Sequence, residues 1–170
     1  MNLDLGIGDY SSLYALANRV RMLATQIQAA WTQDHAQGDW SPTIGSIGGG
    51  TPVYTVQSGH WVKIAPGLVF VQCFIEISSV GSLGAGQLYI GNLPFFVKAG
   101  LNDEAPAQIL WHNLATSWVR IIGQGLQAHN QVHLNGITGA SGSTFTNIVA
   151  ASDLAAGSIL KMSMTYRTNS

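Results

Sequence analysis

The residue types that could carry chemistry are few and scattered. The chain has five histidines, eight acidic residues and one cysteine among 170 residues. His129 and His133 stand at i and i+4, a spacing that on a helix presents two imidazoles to one metal ion. Here the surroundings read as loop and strand, where four residues at roughly 3.3 Å each separate the two by more than about 10 Å. They read as ordinary surface or interface histidines, as do His35, His60 and His112. Asp103 and Glu104 are the one adjacent acidic pair. Glycoside hydrolysis needs two carboxylates set across one bond, and neighbours on a loop read instead as a solvated tip. Gly48-Gly49-Gly50 lacks the lysine and following helix of a phosphate-binding loop. Cys73 falls at an inward position of the strongest strand, which suits a core thiol better than a nucleophile. As a lone cysteine it makes no intrachain disulfide, in keeping with assembly in a reducing cytoplasm. Trp31, Trp40, Trp61, Trp111 and Trp118 could stack on sugars, but packing in a core or between subunits is the plainer use. The expectation is a protein that is not an enzyme and needs no cofactor or metal.

Composition says what the scaffold around these residues must be. Charged residues make up 9% of the chain and hydrophobic residues 46%, whereas a soluble domain carries about 25% charge. Gly, Ser, Thr, Asn and Gln fill the difference. A free monomer relies on surface charge for solubility, so much of this surface is expected to be covered by other subunits. The net charge of −1 offers nothing to neutralise phosphates, so no nucleic acid is expected as partner. No membrane is expected either. There is no polybasic cluster, and the longest apolar run, 67–77, is interrupted by Gln72 and Glu76 and falls short of the roughly 20 residues a spanning helix needs. Met1-Asn2-Leu3-Asp4 lacks the basic start and apolar core of a signal peptide.

Two regions differ in kind, with the boundary in 33–38: an N-terminal arm and helix over 1–37, and a β domain over 38–170. Residues 10–31 contain neither Gly nor Pro. Their apolar positions are Leu13, Leu16, Val20, Leu23, Ile27 and Ala30, spaced three, four, three, four and three. That is a heptad seam with Leu13, Val20 and Ile27 at a, and Leu16, Leu23 and Ala30 at d. Ala17 and Ala24 at e widen it. Asp9, Ser11 or Ser12 could cap its start. The seam serves either a coiled coil between subunits or packing on the chain's own domain. Fewer than three heptads are marginal alone, so the β domain is expected to help. Ahead of the helix, Leu3, Leu5 and Ile7 alternate with Asp4, Gly6 and Gly8, a pattern that could add as an edge strand to a neighbouring sheet or be a disordered tail.

Residues 38–170 read as many short strands divided by Gly and Pro turns, the mark of a sandwich or barrel. In the strongest, Val69, Val71, Cys73, Ile75 and Ile77 alternate with Phe70, Gln72, Phe74, Glu76 and Ser78. The first set should face the core, and the second, with two aromatics, should be covered too at least at one end. Strands are also expected over 53–57, 60–64, 87–91, 108–112, 118–123, 131–135, 145–148 and 158–167. Ser58-Gly59 reads as a hairpin turn and Pro66-Gly67 as the next turn.

Several of these segments, in order, resemble a trimeric domain common in tailed-bacteriophage capsid decorations, fibres and spikes. Trp40-Ser41-Pro42-Thr43 is similar to its W-[ST]-P-x opening. The run from Tyr54 through Gln57, Gly59, Trp61 and Lys63 to Ile64 resembles its Y-x-x-Q-x-G-x-Y-x-[KR]-[IV] hairpin, with Trp61 where Tyr is usual. Gly91-Asn92-Leu93-Pro94-Phe95 and Met164-Thr165-Tyr166 resemble its G-L-P-F ending and its last strand. The likeness runs over about 40–168. It implies a jelly-roll-type antiparallel β-sandwich that trimerises about a three-fold axis, here preceded by the short helix. The heptad's β-branched a and Leu d residues on their own lean towards parallel dimers. One short helix and one β domain, without a long shaft, favour a homotrimeric capsid cement or decoration protein of a virion's outer shell. Leu13, Leu16, Val20, Leu23 and Ile27 would form the trimer seam, and Leu3, Leu5 and Ile7 the anchoring arm on the major capsid protein. The alternative is a tail fibre, spike or adaptor that binds a host surface glycan or receptor.

Overall fold

The structure is a computed structural model that describes residues 10–34, 36–100, 104–139 and 144–169, with side chains from residue 14 onward apart from 30, 33 and 34. Leu3, Leu5 and Ile7, the side chain of Leu13, His35, Asp103 and residues 140–143 lie outside the described residues. The chain divides into two compact units, Met1–Ala36 and Gln37–Ser170.

Among its described residues the first unit holds one helix, α1, Tyr10–Asp34. Freedom from Gly and Pro lets it run for 25 residues, about 37 Å at 1.5 Å per residue. Its first turn holds no acid and its last no base, so those turns supply no charge that offsets the helix dipole. The Thr25 and Thr32 hydroxyls donate to the Arg21 and Gln28 carbonyls one turn back. Both threonines occupy the f positions opposite the heptad seam. No described helix is long and apolar enough to cross a membrane.

The second unit is mainly β. Its strands are β1 (Gln37–Trp40), β2 (Thr43–Ser46), β3 (Val53–Ala65), β4 (Leu68–Ser79), β5 (Leu88–Gly91), β6 (Ala105–His112), β7 (Arg120–Gly125), β8 (Val132–Ile137), β9 (Thr146–Asn147) and β10 (Ile159–Arg167), with a single helical turn α2 (Ala150–Asp153) before the last. All pair antiparallel in one curled sheet of order β1-β3-β4-β10-β6-β7-β8-β5-β2, with β9 on β8. The two ends of that order, β1 and β2, are joined in sequence by Ser41 and Pro42 alone, so the sheet must bend round until its ends nearly meet. Between its halves lie the fully buried Val69, Val71, Ile75, Ile77, Leu88, Ile90, Val132, Leu134 and Leu160. The inward set expected for β4 is thus the core set. Its other face is intermediate, with Phe70, Phe74 and Glu76 half-buried and Gln72 and Ser78 exposed in the single chain.

One expectation is corrected. Ser58-Gly59 is not a turn, because β3 runs unbroken through it and pairs with β4 along its length. Gly59 is there for space. A Cβ on it would lie 2.4 Å from the Trp40 indole nitrogen, on the neighbouring β1. The reversal comes at Pro66-Gly67, where Ala65 pairs with Leu68 and Gly67 has φ +68°. Proline's fixed φ followed by a positive-φ glycine is the pairing a tight type II turn requires.

Closure of the sheet explains the Tyr54-to-Lys63 segment. Tyr54 and Gln57 are three apart and would face opposite ways in a regular strand. A bulge at Thr55, where Tyr54 pairs with Ile77 but Val56 with Glu76, brings both to the inner side. There the Tyr54 hydroxyl accepts from the Ile44 amide at 2.7 Å and donates to the Ile44 carbonyl at 3.2 Å. Gln57 Nε2 donates to the Pro42 carbonyl at 2.9 Å. From the other edge, Asn92 Nδ2 donates to the Ser41 carbonyl. Side chains thus tie β3 to β2, and β3 and Asn92 to the Ser41-Pro42 link, where no ladder joins the two ends of the sheet. Further along the same inner face, Trp61 meets Phe95 edge-on at 5.0 Å, and the Lys63 ammonium lies 5.4 Å from the Phe95 ring centre.

Candidate functional site

The residues singled out for chemistry are dispersed. His129 sits in the bend before β8 and His133 within β8. His133 Nδ1 is 3.0 Å from Gln87 Oε1, and its ring stacks on Tyr89 with centroids 5.9 Å apart. Burial, and secondarily the nearby His129, hold its pKa below the usual histidine value. Glu104 accepts a hydrogen bond from Gln124. Asp153 is buried, but as a tie: its carboxylate accepts from the Val149 amide and the Thr116 hydroxyl. Cys73 is a buried free thiol whose pKa burial pushes up to about 12, which leaves it protonated and inert at neutral pH. Burial also raises Tyr166, whose hydroxyl donates to the Phe95 carbonyl. Among the described residues no three His, Cys, Asp or Glu side chains gather closely enough to hold a metal ion.

What the structure does gather is uncovered apolar and neutral surface, in two places. The first is the helix seam. Leu16, Val20, Leu23 and Ile27 lie between 51% and 68% exposed in the single chain. Heptad spacing lines them up along one side of α1.

The second is the outer face of half the sheet. The registers place Asp39, His60, Gln72, Ser163, Gln108 and Ile122 in one row across β1, β3, β4, β10, β6 and β7. Beside it runs Ser58, Phe74, Lys161 and Leu110, and beyond that Val56, Glu76, Ile159 and His112. On the other flank lie Val62, Phe70 and Thr165. The middle of this surface, over β3, β4, β10, β6 and β7, is a trough of about 1090 Å³. Leu110 within it is 69% exposed, the highest of any large apolar side chain described in the β unit. An antiparallel sheet with one face in water normally sets polar residues outward; this one sets out Val56, Val62, Phe70, Phe74, Leu110, Ile122 and Ile159. The side chains of Gln72, Ser163 and Gln108 make no hydrogen bond among the described residues. His60 Nδ1 lies 3.1 Å from Asp39 Oδ1 at one margin. The Lys161 ammonium is 5.2 Å from the Phe74 ring centre.

The apolar stripe of α1 was legible in the sequence because its signal is periodic. Of the sheet face sequence reasoning anticipated only the β4 part, the set from Phe70 to Ser78 expected to be covered at least at one end; the other members of the trough come from β3, β10, β6 and β7. No family model, curated protein or solved structure matches this chain.

Proposed function

We propose that this chain is a self-assembling structural protein of a bacteriophage virion: a homotrimeric cement or decoration protein that binds between major capsid proteins on the outer shell. The observation that carries the reading is the pair of uncovered surfaces, a helix seam and a sheet face, on a chain with 9% charge. A monomer gains nothing from either, whereas an assembly covers both. The jelly-roll form of the β unit is part of the proposal. It is supported by pairings nested in sequence, β4 with β10 enclosing β5 with β8, which encloses β6 with β7. Such nesting is what a long hairpin rolled on itself gives. The role is mechanical, so no catalytic centre or cofactor is called for. Leu3, Leu5 and Ile7 are proposed as the arm that anchors the trimer to the capsid.

The test is to add purified trimer to undecorated phage heads and measure occupancy and heat resistance. The full-length protein should decorate and protect, and a version lacking residues 1–8 should stay trimeric but fail to bind. Decoration by the truncated protein would remove the arm from the account. A second reading, a tail part that binds host glycans, is favoured by the unpartnered row Gln72, Ser163 and Gln108, since amides and hydroxyls suit neutral sugars. Binding to host cells without binding to heads would put that reading first. Copy number in virions separates the two: hundreds for a shell protein, tens or fewer for a tail part.

A further inference from the structure

We infer that the trough at the middle of the outer sheet face is a binding site for an acidic saccharide, a sugar chain that carries carboxylates. The inference goes beyond the structural role and applies to a head or a tail part alike. Self-assembly has α1 and the margins of the sheet face to draw on; the trough takes a different occupant. Charge, neighbouring groups and backbone each point to it.

Among the described residues lining the trough, Lys161 on β10 and Arg120 on β7 carry fixed charges, both positive, and no acid lines it. Each cation is held by an aromatic ring. The Lys161 ammonium lies 5.2 Å from the Phe74 ring centre and the Arg120 guanidinium 5.9 Å from that of Phe145. Such contacts orient a cation without neutralising it. Neither makes an ion pair among the described residues. His60, which also lines the trough, already faces Asp39 at 3.1 Å. Glu76 stands a row beyond Phe74 on β4, outside the lining. Lys161 and Arg120 are two strands apart, about 10 Å across the sheet. That separation suits two acid groups on one extended molecule better than one small anion.

The groups beside the cations suit sugar. Gln72, Ser163 and Gln108 fill the adjoining row with side chains that make no hydrogen bond among the described residues. Amides and hydroxyls both donate and accept, which is what ring hydroxyls require. Leu110, on the strand between the two cations and 69% exposed, offers an apolar contact to the C–H face of a sugar ring. At about 1090 Å³ the trough is at the large end of ligand sites, which run to about 1,000 Å³.

The backbone disfavours other anions. β4, β10, β6 and β7 each have a neighbouring strand on both sides, so the trough offers no free edge to an acidic peptide adding as a strand. Duplex nucleic acid carries a charge about every 1.7 Å, far more than two cations can meet. Carboxylates set apart by hydroxyl-bearing rings fit both the sparse charge and the amide row.

The experiment is calorimetric titration of the full-length protein with oligogalacturonate and with its methyl ester, which differs in having no charge. The wild type should bind the acid at least tenfold more tightly than the ester, and binding should weaken as salt rises. Lys161→Gln with Arg120→Gln should weaken binding of the acid at least tenfold, whereas Lys161→Arg should keep it. Gln108→Ala should weaken acid and ester by a similar factor. All three side chains are exposed in the single chain, so the variants should fold and sediment as the wild type does, which circular dichroism and ultracentrifugation check. Absence of binding to the acid, equal binding of acid and ester, or binding unchanged in the charge-removing variant would overturn the inference. Oligoglutamate of equal charge binding as tightly, or inorganic phosphate displacing the saccharide at equal concentration, would reduce the trough to a general anion site and overturn it too. Each of these results leaves the structural reading standing, because trimer formation and head decoration are measured separately.

Discussion

In α1, Leu16, Val20, Leu23 and Ile27 are more than half exposed, while in β4, Val69, Val71, Ile75 and Ile77 have no exposure at all. Both segments are patterned with the same kinds of side chain, and the patterns are equally regular. The difference lies in what each can reach. A lone helix has only one side to its apolar stripe and cannot cover it. A sheet long enough to curl can lay one half of its inner face on the other. The β unit therefore holds a core of its own, and the helix carries an apolar stripe that it cannot cover by itself. The β unit is not wholly self-sufficient, however, since its outer trough repeats the helix's situation on a sheet.

This contrast can be broken most severely in the core. Ile75→Ala removes a fully buried side chain and should cost about 2–5 kcal/mol of β-unit stability in chemical denaturation. A loss under about 1 kcal/mol would mean that the two halves are loosely packed. The matching change in the helix, Leu16→Asp with Leu23→Asp, should leave the β-unit melting transition in place. It should abolish association through α1, because charges buried in a seam lack partners. If instead the double variant lowered the β-unit transition, the helix would be packing on its own domain.

Closure of the sheet offers a finer probe. Gly59→Ala forces the Trp40 indole aside and should cost about 1–3 kcal/mol, measured by thermal melting. Tyr54→Phe strips the Ile44 amide and carbonyl of their partner and should cost about 1–2 kcal/mol. Stability unchanged in both would show that the two ends of the sheet need no side-chain tie.

These residues also show how far the sequence could be read. The heptad and the β4 alternation were legible because each repeats within one element, and Pro66-Gly67 because its turn chemistry is local. Ser58-Gly59 has the composition of a turn, yet it lies mid-strand for the sake of Trp40, a contact invisible until β1 pairs with β3. The Tyr54 and Gln57 spacing makes sense only with the bulge at Thr55. The four-residue strands β1 and β2 exist through their pairing rather than their propensity. The trough beyond β4 was hidden for the same reason, since it is a property of registers between distant strands.

The smallest effect concerns pH. The fold lowers the pKa of His133, mainly through burial, so the native state prefers its neutral form. Its contribution to stability is complete above the unfolded histidine pKa and is lost as pH falls through the folded value. The melting temperature should therefore decline slightly as pH drops below about 6.5, and His133→Gln should flatten that part of the profile. A profile unchanged by the substitution would assign the decline to other groups.

The central claim is that the uncovered stripe of α1 and the margins of the sheet face exist to be covered by copies of the same chain. Sedimentation equilibrium of the full-length protein at micromolar concentration tests it most directly. The account predicts a single species of three chain masses that persists on dilution. A species of one chain mass across the whole concentration range would contradict it.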